Sequence, residues 1–588
     1  MKVIRRGTPF RTTILLLLAA LLLGGCSSWA ERLWVNAPGW SRAARLGNTA
    51  TREAVPLALI DDSIPVAVLI ARDTDQPALV FRALNQDGSL RWERVVPAGS
   101  GVPNDRQLVW AGGALHAFWI SHGELFHLQL TADGEPNGEP AVLPTTVPVA
   151  YFALAVSPSG ELALWYSGSR SDPGLYAMEG LFSKPVSTLI DALAIRPSLQ
   201  FDSQGDLHAG WLRYPSGFAR DALYYAYLPQ GVFDPARVSL VLDIDFPIAQ
   251  VLNGPQMGID SGRVYFAWAV EVRTGLSAGE IEARYLSFPI GQPVGQPTVE
   301  YLRVPSAFKL PYSPLPGQTG SWVGLPAADL GTTIRVFEVY FLPGQPERAL
   351  AVFKAQTDYL RRKTQWQIGT LLFEQGAERG YELLSFTSSE STYARIVQDS
   401  QGDLYATWLE GSSSSGGVVY LASTAPRLRA AFNRLSVADI TQMLAETLFG
   451  LASGMVLFWF PLIWLIGSLA VLFLTSPLRR EDQPLLRPGT LISLALIVAA
   501  FWVVKLFVFP GMFAYVPFSA WIPVLPQSWY EPLRIATPVV IGLIALGTAL
   551  HFTYQRDNRS PLYFTLIYGL VDGLLTLAVY GVIFWGDI

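Results

Sequence analysis

The chain has 588 residues, of which 51% are hydrophobic and 15% are charged, and its formal net charge is −5. Soluble domains usually contain about 25% charged residues, so this composition excludes an ordinary soluble protein. The lack of a long basic tract argues against nucleic acid as a partner. The single cysteine excludes an intrachain disulfide and a zinc site built on paired cysteines.

The N-terminus has the pattern of a bacterial export signal. Basic residues precede an apolar run from Ile14 to Leu23, which is too short to cross about 30 Å of hydrocarbon. Leu23-Gly24-Gly25-Cys26 follows and resembles the lipobox of bacterial lipoproteins. The resemblance implies that residues 1–25 are a signal peptide, that Cys26 carries lipid, and that residues 26–45 are a lipidated N-terminus and linker. An uncleaved signal anchor with an incidental cysteine is the alternative.

The middle of the chain contains a repeated segment. Residues 202–212 and 399–409 are identical at nine of eleven positions. Each begins with an Asp-x-x-Gly turn, formed by Asp202 and Gly205 or by Asp399 and Gly402, in which Asp bonds its own backbone and Gly accepts positive φ. The alternating run after the turn predicts a half-buried strand that ends near a tryptophan.

Weaker copies extend this repeat over residues 46–428. Successive anchors are separated by 46, 46, 57, 85 and 55 residues, whereas a four-stranded blade needs about 40–50. The 85-residue gap is expected to hold a degenerate blade or a long insertion, and a further blade is expected before the first anchor. The pattern predicts a mainly β ectodomain, a β-propeller of about seven blades, with an array of β-sandwiches as the alternative. The anchors are Trp119, Trp165, Trp211, Trp268, Phe353 and Trp408.

The blade pattern resembles that of sialidase-like β-propellers. The Asp-box of that family, Ser-x-Asp-x-Gly-x-x-Trp, is not matched, because the spacing from Gly to Trp is longer here. The resemblance implies a glycan-active hydrolase as one possible function. Such an enzyme would need an arginine cluster and an activated tyrosine in the mouth of the propeller.

Residues 448–588 are predicted to be an all-α bundle of about four transmembrane helices, preceded by a juxtamembrane connector at 429–447. Each apolar segment approaches the ~20 residues needed to span, and the first contains Pro461, which predicts a kink. Arginines at 479, 480, 556 and 559 place the first and third loops in the cytoplasm. The N-terminal domain and the C-terminus are therefore expected outside. The segments are residues 448–475, 490–509, 535–552 and 562–585.

Asp572 is the most unusual residue of this bundle. It lies about ten residues into the last segment, hence ~15 Å deep, where a carboxylate usually faces a partner or water. Lys505 could pair with it. The two interpretations are an ion pathway, and a neutral hydrogen-bonded Asp with a snorkelling Lys.

No catalytic residue, metal site or cofactor is predicted. His116, His122 and His127 do not have the spacing of a helical zinc motif. One carboxylate per turn, at Asp202 and Asp399, is far below the six to eight oxygens that Ca²⁺ takes.

The first functional hypothesis is a multi-pass cell-membrane protein whose propeller binds a protein or glycan ligand outside the membrane without catalysis. The expected partners are the lipid bilayer and that ligand, and nucleic acid is excluded. The second hypothesis is a cell-surface glycan hydrolase, and the third is an accessory or gating ectodomain of a small transporter. Similarity of fold alone is a weak guide among them.

Overall fold

The structure is a computed structural model that describes residues 32–581 with internal gaps. Cys26, the signal peptide and the arginines at 479, 480, 556 and 559 lie outside the described residues, so lipidation and orientation stay predictions. The gaps are residues 34–36, 38, 72–76, 100, 214–219, 246–249, 276–277, 292–296, 303, 306–331, 334, 343–347, 360–362, 386, 388, 414–415, 455–456, 458, 476–487, 510–511, 513–514, 519–521, 523–524 and 556–559.

The described residues begin with two strands that belong to the last sheet of the propeller, β1 (Arg32–Leu33) and β2 (Ala43–Thr49). Blades 1 to 3 follow, each an antiparallel sheet of four strands. Their strands are β3 (Leu57–Ile60), β4 (Ile64–Ala71), β5 (Ala78–Leu84), β6 (Leu90–Pro97), β7 (Asn104–Ala111), β8 (Ala114–Ser121), β9 (Glu124–Leu130), β10 (Ala141–Val142), β11 (Tyr151–Val156), β12 (Leu162–Ser169), β13 (Asp172–Glu179) and β14 (Val186–Asp191).

Blades 4 to 6 repeat this plan, with a two-stranded sheet (β23 and β24) inserted before blade 6. Blade 7 contains the last three strands, β29 to β31, together with β2 and β1. The strands are β15 (Ala194–Phe201), β16 (Leu207–Arg213), β17 (Arg220–Leu228), β18 (Val238–Asp245), β19 (Gln250–Ile259), β20 (Arg263–Val272), β21 (Ile281–Pro289), β22 (Glu300–Tyr301), β23 (Val304–Pro305), β24 (Thr332–Thr333), β25 (Val336–Phe341), β26 (Ala349–Tyr359), β27 (Lys363–Glu374), β28 (Ala377–Leu383), β29 (Ser391–Gln398), β30 (Leu404–Ser413) and β31 (Gly416–Ser423).

The seven blades form a closed ring. The first strand of each blade contacts the first strand of the next, and β29 of blade 7 contacts β3 of blade 1. The N-terminal strand β2 pairs with β31, with Ala44 opposite Leu421 and Thr49 opposite Gly417. Closure packs every blade between two neighbours and leaves only the outer strand of each blade as a sheet edge. The prediction of a propeller of about seven blades is confirmed, and the sandwich alternative is wrong.

The ring explains the irregular spacing of the anchors. Trp268 lies in the second strand of blade 5 and Phe353 in the second strand of blade 6, so the 85-residue gap contains an insertion and not a degenerate blade. The segment predicted as a linker, residues 26–45, includes β1 and the start of β2. Trp40 is buried and donates from Nε1 to Glu382 at 3.0 Å, because this segment leads into the closing strand.

Six α-helices follow the propeller among the described residues. They are α1 (Pro426–Phe432), α2 (Val437–Gly454), α3 (Phe460–Thr475), α4 (Pro488–Val508), α5 (Tyr530–Gln555) and α6 (Pro561–Tyr580). In the described part of the chain, three helices are long and apolar enough to cross a membrane, within α4, α5 and α6, and α3 is a shorter apolar helix. The predicted first span is divided between α2 and α3. Pro461 lies in the first turn of α3, where its missing N–H is tolerated.

Candidate functional site: the mouth of the propeller

The two ends of the propeller differ, although the same seven inner strands connect them. The inner strands are the strands that contact one another around the ring: β3, β7, β11, β15, β19, β25 and β29. The term "turn end" is used for the end of the propeller at which these strands finish. The term "mouth" is used for the opposite end, near which they begin. Asp202 and Asp399 lie at the turn end, directly after β15 and β29. The first accepts hydrogen bonds from the backbone N–H groups of Gln204 and Asp206, both at 2.9 Å. These carboxylates therefore fold the turn back on itself.

The repeated turns are nearly superimposable in their contacts. Asp399 accepts from the N–H groups of Gln401 and Asp403 at 3.0 and 2.8 Å. Gly205 and Gly402 have φ values of 87° and 86°, which glycine adopts without steric cost. Turn formation accounts for both motifs, and within the described residues no group of three or more His, Cys, Asp or Glu side chains could hold a metal ion.

The mouth is built from β-bulges. In five blades the pairing of the inner strand with its neighbour shifts near its start, in β7, β15, β19, β25 and β29. Each bulge has one residue in the left-handed region, which is strained for residues other than glycine. Bulges re-aim side chains and are common beside binding sites. The five residues are Asp105 (φ 43°), Arg196 (54°), Gly254 (92°), Glu338 (51°) and Tyr393 (56°).

Neighbouring blades hold these strained residues in place. The N–H of Tyr393 donates to Oε2 of Glu338 at 2.7 Å, and the N–H of Arg196 donates to Oγ of Ser167 at 3.1 Å. The N–H of Asp105 bonds the carboxylate of Glu53. In each case the acceptor precedes the bulge by one blade. The strain is thus maintained by contacts between blades, which also fix the geometry of the mouth.

A cavity of about 1140 Å³ runs along the axis of the ring. It extends from the bulges at the mouth to Asp202 and Ser203 at the turn end, and the inner strands line most of it. Its volume is slightly above the range of ~300–1,000 Å³ usual for ligand sites.

Four arginines line this cavity among the described residues, and they differ in burial. Arg273 is 61% exposed and pairs with Glu271 at 3.4 Å. Arg106 is buried, approaches Glu53 at 3.8 Å and donates to Thr51 at 3.1 Å, and its burial lowers its pKa to about 10. These contacts make Arg106 a structural residue. Arg196 is half-buried and donates to the carbonyls of Leu252 and Gly254 at 2.9 and 3.1 Å.

Arg395 is the arginine best placed for a ligand. It follows the bulge of blade 7, is half-buried, and lies over the ring of Tyr340 at 4.4 Å. Within the described residues, the guanidinium of Arg395 makes one hydrogen bond, to the carbonyl of Ala394 at 3.0 Å. A guanidinium has five N–H donors in a planar fork, so most remain available to an acidic group.

Carboxyl groups accompany the arginines. Burial raises the pKa of Asp105 to about 6, against the opposing charge of Arg395. Burial also raises the pKa of Glu338, whose Oε1 lies 3.6 Å from Nζ of Lys354. Burial raises the pKa of Tyr393 as well, so this phenol is held in its neutral form. That direction is the opposite of the activated tyrosine that a sialidase-like enzyme would need.

Most residues singled out in the sequence lie away from the mouth. Trp119, Trp165, Trp211, Trp268 and Trp408 lie in the second strands of their blades, each at most 3% exposed. His116 and His127 form a pair, with Nδ1 and Nε2 3.0 Å apart. The bulge residues have no common side chain, so no repeat of residue type marks them in the sequence. The one signal was Pro197 and Pro255, which interrupt an alternating strand.

Lys505 and Asp572 lie together inside the helical bundle. Nζ of Lys505 is 2.5 Å from Oδ1 of Asp572 and 2.7 Å from Oγ1 of Thr576, and both charged side chains are fully buried. Nζ also lies 4.6 Å from the ring of Trp502. The pair joins α4 to α6 and is separate from the propeller mouth.

Comparisons with known proteins find only distant similarity. No family model and no curated protein matches the chain. Among solved structures, an ulvan lyase is 10% identical over 66% of this chain and 94% of its own, with a TM-score of 0.39. A second polysaccharide lyase is 10% identical over 68% and 95%, with a TM-score of 0.41. A mutant sialidase of Trypanosoma rangeli is 10% identical over 71% and 63%, with a TM-score of 0.33.

Proposed function

We propose that this protein is a membrane-anchored receptor whose propeller mouth binds an acidic glycan outside the membrane without catalysis. The observation that carries the proposal is Arg395, stacked on Tyr340 at the mouth of a cavity of about 1140 Å³ with most of its N–H donors unused among the described residues. A planar guanidinium recognises a carboxylate through two parallel hydrogen bonds. The aromatic rings beside it offer flat apolar surface to a sugar.

The position of the helices supports a ligand from outside. Phe432 of α1 packs on Gly88 in the turn between β5 and β6, at the turn end of blade 1. Arg42 makes two hydrogen bonds, at 2.8 and 2.6 Å, with Asp439 near the start of α2. The chain leaves the ring at the turn end, so the mouth is the end remote from the membrane helices.

The test measures binding of uronic-acid oligosaccharides and of neutral oligosaccharides of equal length to the full-length protein in nanodiscs. Arg395→Met keeps the apolar stem and removes the donors, and we expect about 10–100-fold weaker binding of the acidic ligand, because hydrogen bonds to charged groups contribute ~1.5–3 kcal/mol. Arg237→Met is the control, since this half-exposed arginine lies on the loop before β18. Equal binding of acidic and neutral ligands would contradict the proposal.

A second candidate, a glycan-cleaving enzyme, is favoured by Asp105. A carboxyl group with a pKa of about 6 beside Arg395 is suited to donate a proton near neutral pH. The variant Asp105→Asn distinguishes the two functions. A receptor with this change keeps its affinity for the glycan, whereas an enzyme with this change no longer cleaves the glycan and releases no new sugar ends. Turnover by the unmodified protein that Asp105→Asn abolishes would replace the receptor with the enzyme.

We also propose that the protein is exported and that Cys26 carries lipid. The support is the match to the lipobox in a chain with a single cysteine. In a bacterial host, Cys26→Ala should abolish labelling with an alkyne fatty acid. Continued labelling of the variant would exclude Cys26 as the attachment point.

A further inference from the structure

A second cavity lies between α1 and the turn end of blade 1. Its volume is about 670 Å³. It is bounded on one side by the turn between β5 and β6, and on the other by α1 and the residues that follow it. This cavity is at the opposite end of the propeller from the mouth, where the chain enters the helical bundle. Its polar lining residues are Ser63, Asn85, Gln86, Asp87, Arg91, Arg427 and Arg434.

The lining has a positive charge balance, with three arginines against one carboxylate among the described residues. The carboxylate of Asp87 accepts from the N–H and the hydroxyl of Ser89 at 3.0 and 2.6 Å, and the hydroxyl bond lowers the pKa of Asp87. Asp87 is therefore committed to its own turn. Arg91 pairs at 3.2 Å with Asp133, which is 81% exposed and well solvated. The cavity is suited to an anion.

An apolar stripe begins directly beyond the cavity. Val437, Ile440 and Leu444 of α2 are 78%, 54% and 58% exposed, and their spacing of three and four residues places them on one helix face. At the other end of α2, Gly454 packs against Leu577 and Gly581 at the C-terminal end of α6. Because α6 is long and apolar enough to cross a membrane, α2 joins the stripe at its start to the end of such a helix at Gly454, about 15–25 Å away along the α2 axis.

We infer that this cavity and stripe form a binding site for an acidic phospholipid. The phosphate of the headgroup would lie between Arg427 and Arg434, and the acyl chains would lie along Val437, Ile440 and Leu444. Arginine is the preferred side chain for phosphate because its fork matches the phosphate oxygens. A helix with an apolar face beside basic residues lies in the membrane interface. A lipid source, and not free phosphate, is favoured because the apolar stripe continues from the basic cavity.

The experiment uses the full-length protein in mixed micelles and counts bound lipids by native mass spectrometry. The probes are phosphatidylglycerol, phosphatidylcholine and inorganic phosphate. A basic residue near an acidic membrane contributes ~1 kcal/mol, which corresponds to about fivefold in affinity. The double variant Arg427→Gln/Arg434→Gln should therefore bind phosphatidylglycerol about 25-fold more weakly, with phosphatidylcholine unchanged.

Arg429→Gln is the matched control. Arg429 is on the same helix and equally charged, but it donates to the carbonyl of Gly39 at 3.1 Å and does not line the cavity. An equal loss of affinity in this control would overturn the site in favour of diffuse charge attraction. Competition by millimolar inorganic phosphate as strong as that by the lipid would assign the cavity to free phosphate. Ile440→Ser should weaken lipid binding without affecting phosphate, and an unchanged lipid affinity in this variant would also overturn the proposal.

Discussion

The turn end and the mouth of the propeller are opposite ends of the same inner strands, and they follow different rules. At the turn end, two blades repeat one eleven-residue segment almost unchanged, and its Asp and Gly satisfy their own backbone. At the mouth, five blades repeat a backbone bulge but fill it with Asp, Arg, Gly, Glu and Tyr. Repetition of side chains at one end stabilises the fold. Repetition of the backbone with varied side chains at the other end creates a surface that can discriminate ligands.

The largest effect on stability is expected in the hydrophobic core between the turn end and the mouth. Trp211 and Trp408 occupy the same place in blades 4 and 7, and both are buried. Replacing either with Ala should lower the free energy of unfolding by about 3–5 kcal/mol, measured by thermal unfolding of the detergent-solubilised protein. Trp92, which is half-buried on the outer strand β6, is the control with a smaller loss. Unequal losses for Trp211 and Trp408 would contradict the equivalence of their blades.

A smaller effect is expected at the mouth, where a buried carboxyl group should make the free energy of unfolding depend on pH. Glu410 lies in β30, opposite Ser391 at the start of β29. Burial raises the pKa of Glu410 to about 7, although Ser391, Thr387 and Trp408 donate hydrogen bonds to its carboxylate. The folded state therefore binds this proton more tightly than the unfolded state. The contribution of Glu410 to the free energy of unfolding should be fully present below about pH 4.5 and should fall by up to about 3 kcal/mol as the pH rises through about 7.

The measurement for this effect is the unfolding free energy from pH 4.5 to 8. Glu410→Gln, which keeps the shape of the side chain and cannot ionise, should reduce the slope of the profile, and the slope that remains should come from Asp105 and Glu382, whose pKa values burial raises to about 6 and about 7. Glu124→Gln, at an exposed position, should leave it unchanged. A profile that keeps its full slope in Glu410→Gln would show that Glu410 does not contribute to it.

The smallest effect should come from the turn end. Gly205→Ala places a Cβ in open space, but at a φ of 87°, so the expected cost is about 1 kcal/mol of backbone strain. Gly262→Ala, in the related turn of blade 5, has open space without a positive φ and should be neutral. Neither variant should change ligand affinity at the mouth. A loss of binding in Gly205→Ala would join the two ends into one functional unit.

The sequence predicted the regular parts of the fold and not the irregular ones. The Asp-x-x-Gly turns and the tryptophan spacing were readable because each is determined by residues a few positions apart. The bulges at Arg196 and Tyr393 were not readable, because each depends on a side chain of the preceding blade. The closing strand was missed for a similar reason, since Ser41 and Ser423 are bonded across 382 residues.

The bundle shows the same limit. Lys505 and Asp572 were paired in the sequence analysis from their depth and opposite charge alone. The division of the first apolar segment into α2 and α3 required the position of Pro461 relative to a helix end, which hydropathy does not contain.

The contact between Arg42 and Asp439 has a mechanical consequence. The seam that closes the ring joins β2 to β31, which are antiparallel. The start of β2 and the end of β31 therefore lie side by side at the turn end. A force applied to the mouth, as from a bound polymer, would reach the membrane helices through β31. If β2 were held only by its pairing with β31, this force would separate the two strands one hydrogen-bond pair at a time. Arg42, bonded to Asp439 of α2, spreads that load over both strands.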